Sequence, residues 1–229
     1  MPYSDHAQIL REAITNLTDR FVHTTGIEAN LAAVTASAIQ LIPDVDSADV
    51  LIITNTDEYR SLAATSQLAI DLDHLQRRHR QGPCLDAAAG EIMVLSNDLR
   101  AELRWPGYAA SAVESGVLAT LSFQLYTGQR HPTQRAALNL LSRRADAFDA
   151  QAQAVAAMLA THAAIVSIAH ARDRQFQSAL ASRDAIGQAK GIIMERFDVA
   201  AARAFELLRK LSQDTNTRLV DVAAQIVAR

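Results

Sequence analysis

Apolar residues recur at helical spacing in two stretches near the start of the chain. The stretches cover 5–22 and 28–42, and Pro43 ends the second. Their apolar faces consist of Ile9, Ala13, Leu17 and Phe21 in the first stretch, and Leu31, Val34, Ala38 and Leu41 in the second. The pattern predicts two amphipathic helices.

The middle of the chain alternates between apolar runs that are typical of strands and shorter helical stretches. The predicted strands are 49–54, 59–65, 91–95, 117–126 and 136–142. Helices are predicted at 67–80 and 108–115, and a Gly-Pro pair breaks the chain just before Cys84. Several strands with helices at one end and in mid-chain predict an α+β domain built on a sheet.

A long stretch from Phe148 to Ile186 contains neither glycine nor proline, which predicts a single helix of about 58 Å. Positions alternating by four and three are mostly apolar: Phe148, Ala152, Val155, Leu159, His162, Val166, Ala169, Asp173, Phe176 and Leu180. We interpret this stripe as a coiled-coil seam, which predicts a homodimer. The alternative is a helix that packs on its own domain.

Three shorter apolar faces follow and predict a compact helical module. They consist of Ile186, Ala189, Ile193 and Phe197; Ala201, Phe205, Leu208 and Leu211; and Leu219, Val222, Ala223 and Ile226. Asn216 or Thr217 is a predicted N-cap of the third helix.

Composition fits a globular chain rich in helix. Of 229 residues, 49% are hydrophobic and 44 are alanine, which favours helix. Cys84 is the only cysteine, which excludes a disulfide scaffold and a cysteine-rich metal site. The longest apolar run, 154–160, falls short of the roughly 20 residues that span a bilayer, and the first residues lack a signal-peptide pattern. We expect a soluble cytoplasmic protein without membrane contact.

Charge is distributed unevenly along the chain. Residues up to Ala171 carry 12 arginines and 18 acids, whereas the remainder carries 8 arginines and 2 lysines against 7 acids. The basic tail indicates contact with phosphates, although a solvated helix face would give the same count.

Catalytic motifs are missing from the sequence. It contains no nucleophile elbow, phosphate-binding loop, dinucleotide fingerprint or HExxH zinc motif, and its seven histidines are scattered. We therefore expect neither an enzyme nor a metal site. Cys84 is interpreted as a small buried hydrophobe, the alternative being a sensing thiol activated by the basic cluster 77–80. Trp105 is interpreted first as a packing residue.

The tail resembles the ANTAR domain. The segment 186–196, IGQAKGIIMER, closely resembles the signature of its first helix, and AFELLR, LSQDTN and RLVDVA resemble the blocks that follow. The match covers 174–228, with one departure at Ala200, where the family often has Ser, Thr or Asp; Asp198 is a substitute cap. The resemblance implies RNA binding and transcription antitermination, in which a dimer binds paired stem-loops of a leader RNA and prevents formation of a terminator.

The front resembles the GAF domain of actinobacterial GAF–ANTAR regulators through QGPCLDA, WPGY and GVLATLSF over 27–147. The implied fold is an antiparallel GAF-like sheet with flanking helices. The implied domains are an N-terminal helix (1–26), a sensor domain (27–147), a coiled-coil linker helix (148–173) and an ANTAR domain (174–229). GAF domains often bind small molecules, and no particular ligand or cofactor is identified here.

Two sets of site residues follow from these patterns. The predicted RNA-binding residues are Ala189, Lys190, Gly191, Arg203, Arg209, Lys210, Asn216 and Arg218. Lysine and arginine are expected on phosphates, with Arg209 and Lys210 closing the second helix, while Asn216 either caps the third helix or contacts a base edge. A possible sensor pocket consists of Cys84, Trp105 and Phe123.

Two other functional classes are alternatives to a sensor that controls RNA binding. A DNA-binding regulator would use the last helix for recognition, but that helix has few polar residues for a groove. An enzyme or a pure ligand-binding module is the third class, and the missing motifs disfavour the enzyme.

Overall fold

A computed structural model describes residues 11–19, 26–54, 56–125 and 134–228 of the chain. It divides at His170 into two compact units, Met1–His170 and Ala171–Arg229. The helix predicted over 5–22 is helical where it is described, over 11–19 (α1). Ile9 and Phe21 lie outside the described residues, as does the segment 126–133 between the last two predicted strands.

The first unit contains five strands and most of the helices. Its elements are α2 (Ile27–Leu41), β1 (Ser47–Thr54), β2 (Tyr59–Leu62), α3 (Gln67–His79), α4 (Pro83–Ala89), β3 (Met93–Ser96), a 3-10 turn (Leu99–Ala101), α5 (Pro106–Glu114), β4 (Ala119–Leu125) and β5 (Gln134–Ser142). The predicted strands are confirmed with small shifts at their ends. The α4 helix was not predicted, because the Gly-Pro pair was interpreted as a break. Proline at the first helical position instead starts this helix.

The five strands form one antiparallel sheet in the order β2-β1-β5-β4-β3. Side chains alternate between its two faces. On β1, Ala48 and Val50 point into one core, whereas Leu51 and Ile53 point into the other. The predicted α+β class is confirmed, with a hydrophobic core on each face of the sheet.

The two cores have different helical partners. The first core contains α2 and the start of a long helix, α6 (Ala150–Phe197). The second core contains residues of α3, α4 and α5. This second face carries the buried polar residues described below.

The long predicted helix is confirmed and is longer than expected. It continues without a break through the segment 186–197, which had been predicted as a separate helix. Its early apolar stripe packs inside the first unit: Phe148, Ala152, Val155, Leu159 and Val166 all belong to the first core. This part of the stripe therefore packs on the helix's own domain, as in the alternative interpretation. Phe176 and Leu180, farther along, are 60% and 41% exposed.

Among the described helices, α6 alone is long and apolar enough to span a membrane by length and composition. Residues such as Val155, Leu159 and Val166 are buried in the first unit. This burial accounts for part of the helix's apolar character, since 33% of its most apolar window is buried.

The second unit is a three-helix module formed by the end of α6 with α7 (Ala201–Asp214) and α8 (Leu219–Val227). Its core has two residues from each helix: Ala189 and Ile193, Ala204 and Leu208, and Val222 and Ala223. The predicted apolar faces supply five of these six, and Ala204 lies beside the predicted face of the second helix. Ala200 is the N-cap of α7 and makes no side-chain cap bond. Asp198 does not replace it, because its left-handed backbone (φ +49°) follows the end of α6.

Candidate functional site

The predicted RNA-binding residues begin on α6, where Ala189, Lys190 and Gly191 have three different environments. Ala189 is completely buried in the core of the second unit, so its role is packing rather than contact with a ligand. Lys190 is half-buried beside it. A Cβ added to Gly191 would meet no atom within 4 Å. Packing within the chain therefore does not require a glycine there, which leaves room for the close approach of another molecule.

Three basic residues lie on the exposed side of α7. Arg203 donates to Glu206 at 2.9 Å, so a carboxylate already neutralises it. Arg209 and Lys210 are exposed and have no ion-pair partner among the described residues. Because α7 continues to Asp214, these two residues do not lie in its last turn. The prediction that they close the helix is therefore wrong, and the helix dipole gives no extra reason for their charge.

The connection between α7 and α8 places Asn216 and Arg218 at the surface. Asn216 has a positive φ of 48°, a conformation that asparagine tolerates better than most residues. The N-cap of α8 is Arg218, so the predicted caps at Asn216 and Thr217 are wrong. The exposed Asn216 amide makes no hydrogen bond within the described chain. The Arg218 guanidinium donates to both oxygens of Asp221, at 2.7 and 2.9 Å.

The three residues of the predicted sensor pocket do not meet. Cys84 and Trp105 are buried in the second core, whereas Phe123 points into the first core from β4. The register of β4 decides this, because Phe123 and the neighbouring Ser122 face opposite sides of the sheet. Phe123 is therefore removed from the candidate pocket.

Trp105 is held in place by two polar contacts. Its indole Nε1 donates to Asp86 at 2.7 Å, and the guanidinium carbon of Arg104 lies 4.2 Å from its ring centroid. These contacts support the interpretation of Trp105 as a packing residue.

The polar feature of the second core is a buried network that the sequence analysis missed. Asp49 on β1, Asn139 on β5 and Ser122 on β4 form one row across the sheet. Ser122 donates to Asn139 at 2.9 Å, and Asn139 donates to Asp49 at 3.2 Å. Asp73 of α3 faces this row, and its carboxyl accepts from Ser61 and from Gln76.

In the part of the chain that the structure describes, three buried polar side-chain atoms have no hydrogen-bond partner: Asp49 Oδ1, which belongs to this network, Tyr108 Oη and Thr120 Oγ1. Burial of such groups without partners is energetically costly. Asp49 gives little sequence signal, because it opens an apolar strand and its partner Asp73 lies 24 residues away.

Cys84 adjoins the network and is completely buried. Complete burial raises its pKa well above the usual value, and the carboxyls of Asp73 and Asp49 raise it further. The basic cluster expected to favour a thiolate does not overcome this burial. The interpretation of Cys84 as a buried hydrophobe agrees with the structure.

A metal centre is not apparent in the described parts of the chain. No three His, Cys, Asp or Glu side chains there are arranged to hold an ion.

Comparison with known families identifies both units. The GAF domain profile matches residues 24–166, and the ANTAR domain profile matches residues 174–227. No curated protein sequence matches the chain.

Solved structures with a similar fold include GAF domains of phosphoenolpyruvate-protein phosphotransferases. That of Coxiella burnetii is 18% identical with a TM-score of 0.54, and covers 74% of this chain and 96% of its own. That of Acinetobacter is 15% identical with a TM-score of 0.55, and the match covers 73% of this chain and 94% of the Acinetobacter chain.

Free methionine-R-sulfoxide reductase from Neisseria meningitidis, solved with its substrate, is also similar. It is 16% identical with a TM-score of 0.54, and covers 72% of this chain and 91% of its own. At these identities the likeness concerns the fold alone. Because the GAF profile covers more than half of the residues and an ANTAR domain follows it, the chain belongs to the GAF family and has the GAF–ANTAR architecture of a signal-responsive regulator with an RNA-binding module.

Proposed function

We propose that the chain is an RNA-binding transcription antiterminator whose GAF unit controls its ANTAR unit. The ANTAR unit binds paired stem-loops in a leader RNA and thereby prevents a terminator from forming. The observation that carries this proposal is the ANTAR match, over a three-helix unit whose accessible basic residues Lys190, Arg209 and Lys210 have no ion-pair partner among the described residues.

The charge distribution supports contact with phosphates through the second unit. From Arg172 onward, cations outnumber acids by ten to seven, whereas the first unit is acidic. Within the second unit, Arg203 and Arg218 already pair with carboxylates. Lys190, Arg209 and Lys210 are therefore the first choices for phosphate contacts, and the unbonded amide of Asn216 for a base edge.

A DNA-binding regulator is the alternative, and the last helix argues against it. In α8 the polar residues are Asp221 and Gln225, and Arg218 immediately before them is paired with Asp221. A helix that reads the major groove needs several polar side chains at groove-facing positions. RNA recognised through its backbone and loops fits this unit better.

The GAF unit is proposed to be a sensor rather than an enzyme. Both matched families are regulatory, and the site suggested for a signal is the buried polar network around Asp49 and Asp73. We further propose a cytoplasmic homodimer, with the exposed Phe176 and Leu180 of α6 in its interface.

A gel mobility-shift titration tests the proposed RNA partner. The full chain is titrated against a leader RNA with two hairpins, the same RNA with one hairpin deleted, and duplex DNA of equal length. We expect binding to the two-hairpin RNA to be the tightest, and Lys190→Ala with Lys210→Ala to weaken it at least tenfold. Arg100→Ala, which removes an exposed ion-paired arginine of the first unit, is the matched control and should leave affinity unchanged.

A transcription assay tests the antitermination step separately. A template that encodes the two-hairpin leader before a terminator should give more full-length transcript when the protein is added. Tighter binding to duplex DNA in the first assay would favour the alternative regulator. If the protein binds the RNA but does not increase readthrough of the terminator, the RNA-binding role stands and the antitermination role is contradicted.

A further inference from the structure

The carboxyls of Asp49 and Asp73 lie in a deeply buried polar site of the first unit. Asp49 on β1 is 1% exposed and Asp73 on α3 is 2% exposed, and the carboxyls are close enough for Asp73 to raise the pKa of Asp49 through its charge. Two neighbouring carboxylates that are both buried away from water cannot both be ionised without a large repulsive energy. One of the two therefore carries a proton.

Asp73 is surrounded by donors. Gln76 accepts the backbone N–H of Cys84 with its Oε1 at 2.9 Å, and a backbone N–H can only donate. This contact fixes the amide orientation, so Gln76 Nε2 points to Asp73 and donates, while Ser61 donates to the other oxygen. These donors stabilise Asp73 as the ionised member of the pair.

Asp49, unlike Asp73, has a hydrogen-bond donor at only one of its two carboxyl oxygens among the described residues. Its Oδ2 accepts from Asn139, whose own Oδ1 accepts from Ser122. Its Oδ1 is completely buried and has no donor. An ionised oxygen there would be left unsatisfied, whereas an O–H group would have the Asp73 carboxylate as its acceptor.

We propose that Asp49 and Asp73 form a binding site for a single proton, which at neutral pH resides on Asp49 Oδ1 and is donated to the Asp73 carboxylate. The proton joins β1 to α3 inside the GAF unit. This inference is independent of RNA binding and goes beyond the proposed function, because its ligand is the proton itself.

Other titratable groups face the pair from the packed elements. Cys84 of α4 and Tyr108 of α5 are both completely buried, and burial raises the pKa of each well above its usual value, so both are neutral. His74 of α3 acts on Asp73 through its charge. The strands β2, β4 and β5 present the uncharged Ser61, Ser122 and Asn139.

The sign of the pH dependence follows from the direction of the shifts. Burial raises the pKa of Asp49 well above 3.8 and that of Asp73 to about 6. A raised pKa means that the folded unit keeps a proton that the unfolded chain releases, so stability declines as pH rises. Above pH 6 the Asp49 proton alone remains, and the folding equilibrium constant should fall about tenfold per pH unit until that proton dissociates.

Denaturant unfolding of the full chain between pH 6 and 9 tests the site. Trp105, the only tryptophan, lies in the same core, so its fluorescence reports on this unit. Asp49→Asn keeps a donor to Asp73 but cannot titrate, so the wild-type folding constant should fall about tenfold per pH unit relative to this variant. Asp71→Asn changes an exposed carboxyl of the same helix, so its folding constant should show the same pH dependence as that of the wild type. If the ratio of the folding constants of wild type and Asp49→Asn stays constant with pH, the proposal is overturned.

Infrared spectroscopy provides a second measurement that does not depend on folding of the variant. Wild-type protein with 13C-labelled aspartate carboxyls should show, at pH 7, the labelled carbonyl band of a protonated carboxylic acid. The band should persist in Asp71→Asn and vanish in a folded Asp49→Asn. Its absence from the wild-type spectrum at pH 7 would overturn the proposal outright.

Discussion

Gly82 illustrates how one residue without a side chain can hold two helices together. It precedes α4 with φ +143°, and a Cβ at this position would lie 2.3 Å from Oε1 of Gln76. That oxygen accepts the backbone N–H of Cys84 in the first turn of α4. The glycine therefore allows a buried amide of α3 to satisfy the start of the next helix.

Replacement of Gly82 by alanine should destabilise the GAF unit by about 2–4 kcal/mol, since it combines backbone strain with loss of buried hydrogen bonds. Gly90→Ala is the matched control, because Gly90 has nearly the same φ of +144° but nothing within 4 Å of an added Cβ. Unfolding curves followed by Trp105 fluorescence measure both. Equal losses in the two variants would show that the contact with Gln76 adds nothing to the strain.

Cys84 leads to a prediction about signalling chemistry. Because the thiol is completely buried and its pKa is raised, it should react with alkylating reagents only when the GAF unit opens. Cys84→Ser should leave RNA affinity within a few-fold under reducing conditions, as measured by the same titration that tests the RNA partner. Rapid alkylation of the native protein, or loss of RNA binding in the variant, would give the thiol a role in output.

At the residue scale, sequence reasoning succeeded where a single position determines its own environment. The burial of Cys84 and the packing role of Trp105 follow from residue type and from neighbouring turns. Asp49 and Asp73 could not be paired in this way, because they meet only after β1 and α3 pack together. Phe123 was misplaced for a similar reason, since strand register decides which core it enters.

At the scale of elements, α6 divides its apolar residues between two uses. Up to Val166 they complete the core of the GAF unit, and Ala189 and Ile193 complete that of the ANTAR unit. Phe176 and Leu180 belong to neither core. A period near 3.6 is common to a core helix and a coiled coil, so the pattern alone could not separate these roles.

The double substitution Phe176→Glu with Leu180→Glu should convert the proposed dimer to a monomer in sedimentation velocity, because it places charge at exposed apolar positions. The stability of the GAF unit, measured by Trp105 fluorescence, should not change in this variant. Gln175→Glu with Ala179→Glu has the same spacing on exposed neighbouring positions and serves as the control.

Leu159→Asp, by contrast, should unfold the GAF unit, because the leucine is 3% exposed in its core. Its effect on assembly would not identify an interface. A dimer that persists in the Phe176→Glu, Leu180→Glu protein would place the contact on another surface.

At the scale of the whole molecule, the charge distribution distinguishes the two units. The acidic GAF unit disfavours non-specific binding of nucleic acid, while the excess of cations is confined to the ANTAR unit. Fold class and the three helices of the tail were accessible from periodicity. Periodicity could not show which basic side chains are ion-paired, because pairs such as Arg203 with Glu206 depend on side-chain placement.

Lys210 and Arg203 therefore form a matched pair for measuring phosphate contacts. They are seven residues apart on the same side of α7, and Arg203 is ion-paired whereas Lys210 is not. If Lys210 neutralises a phosphate, Lys210→Ala should reduce the slope of log affinity against log salt by about 0.7–0.9, and Arg203→Ala should reduce it less. Asn216→Ala should leave the slope unchanged and alter the preference among loop sequences. Equal slopes for wild type and Lys210→Ala, in a folded protein that binds RNA, would place the phosphate contacts away from this side of α7.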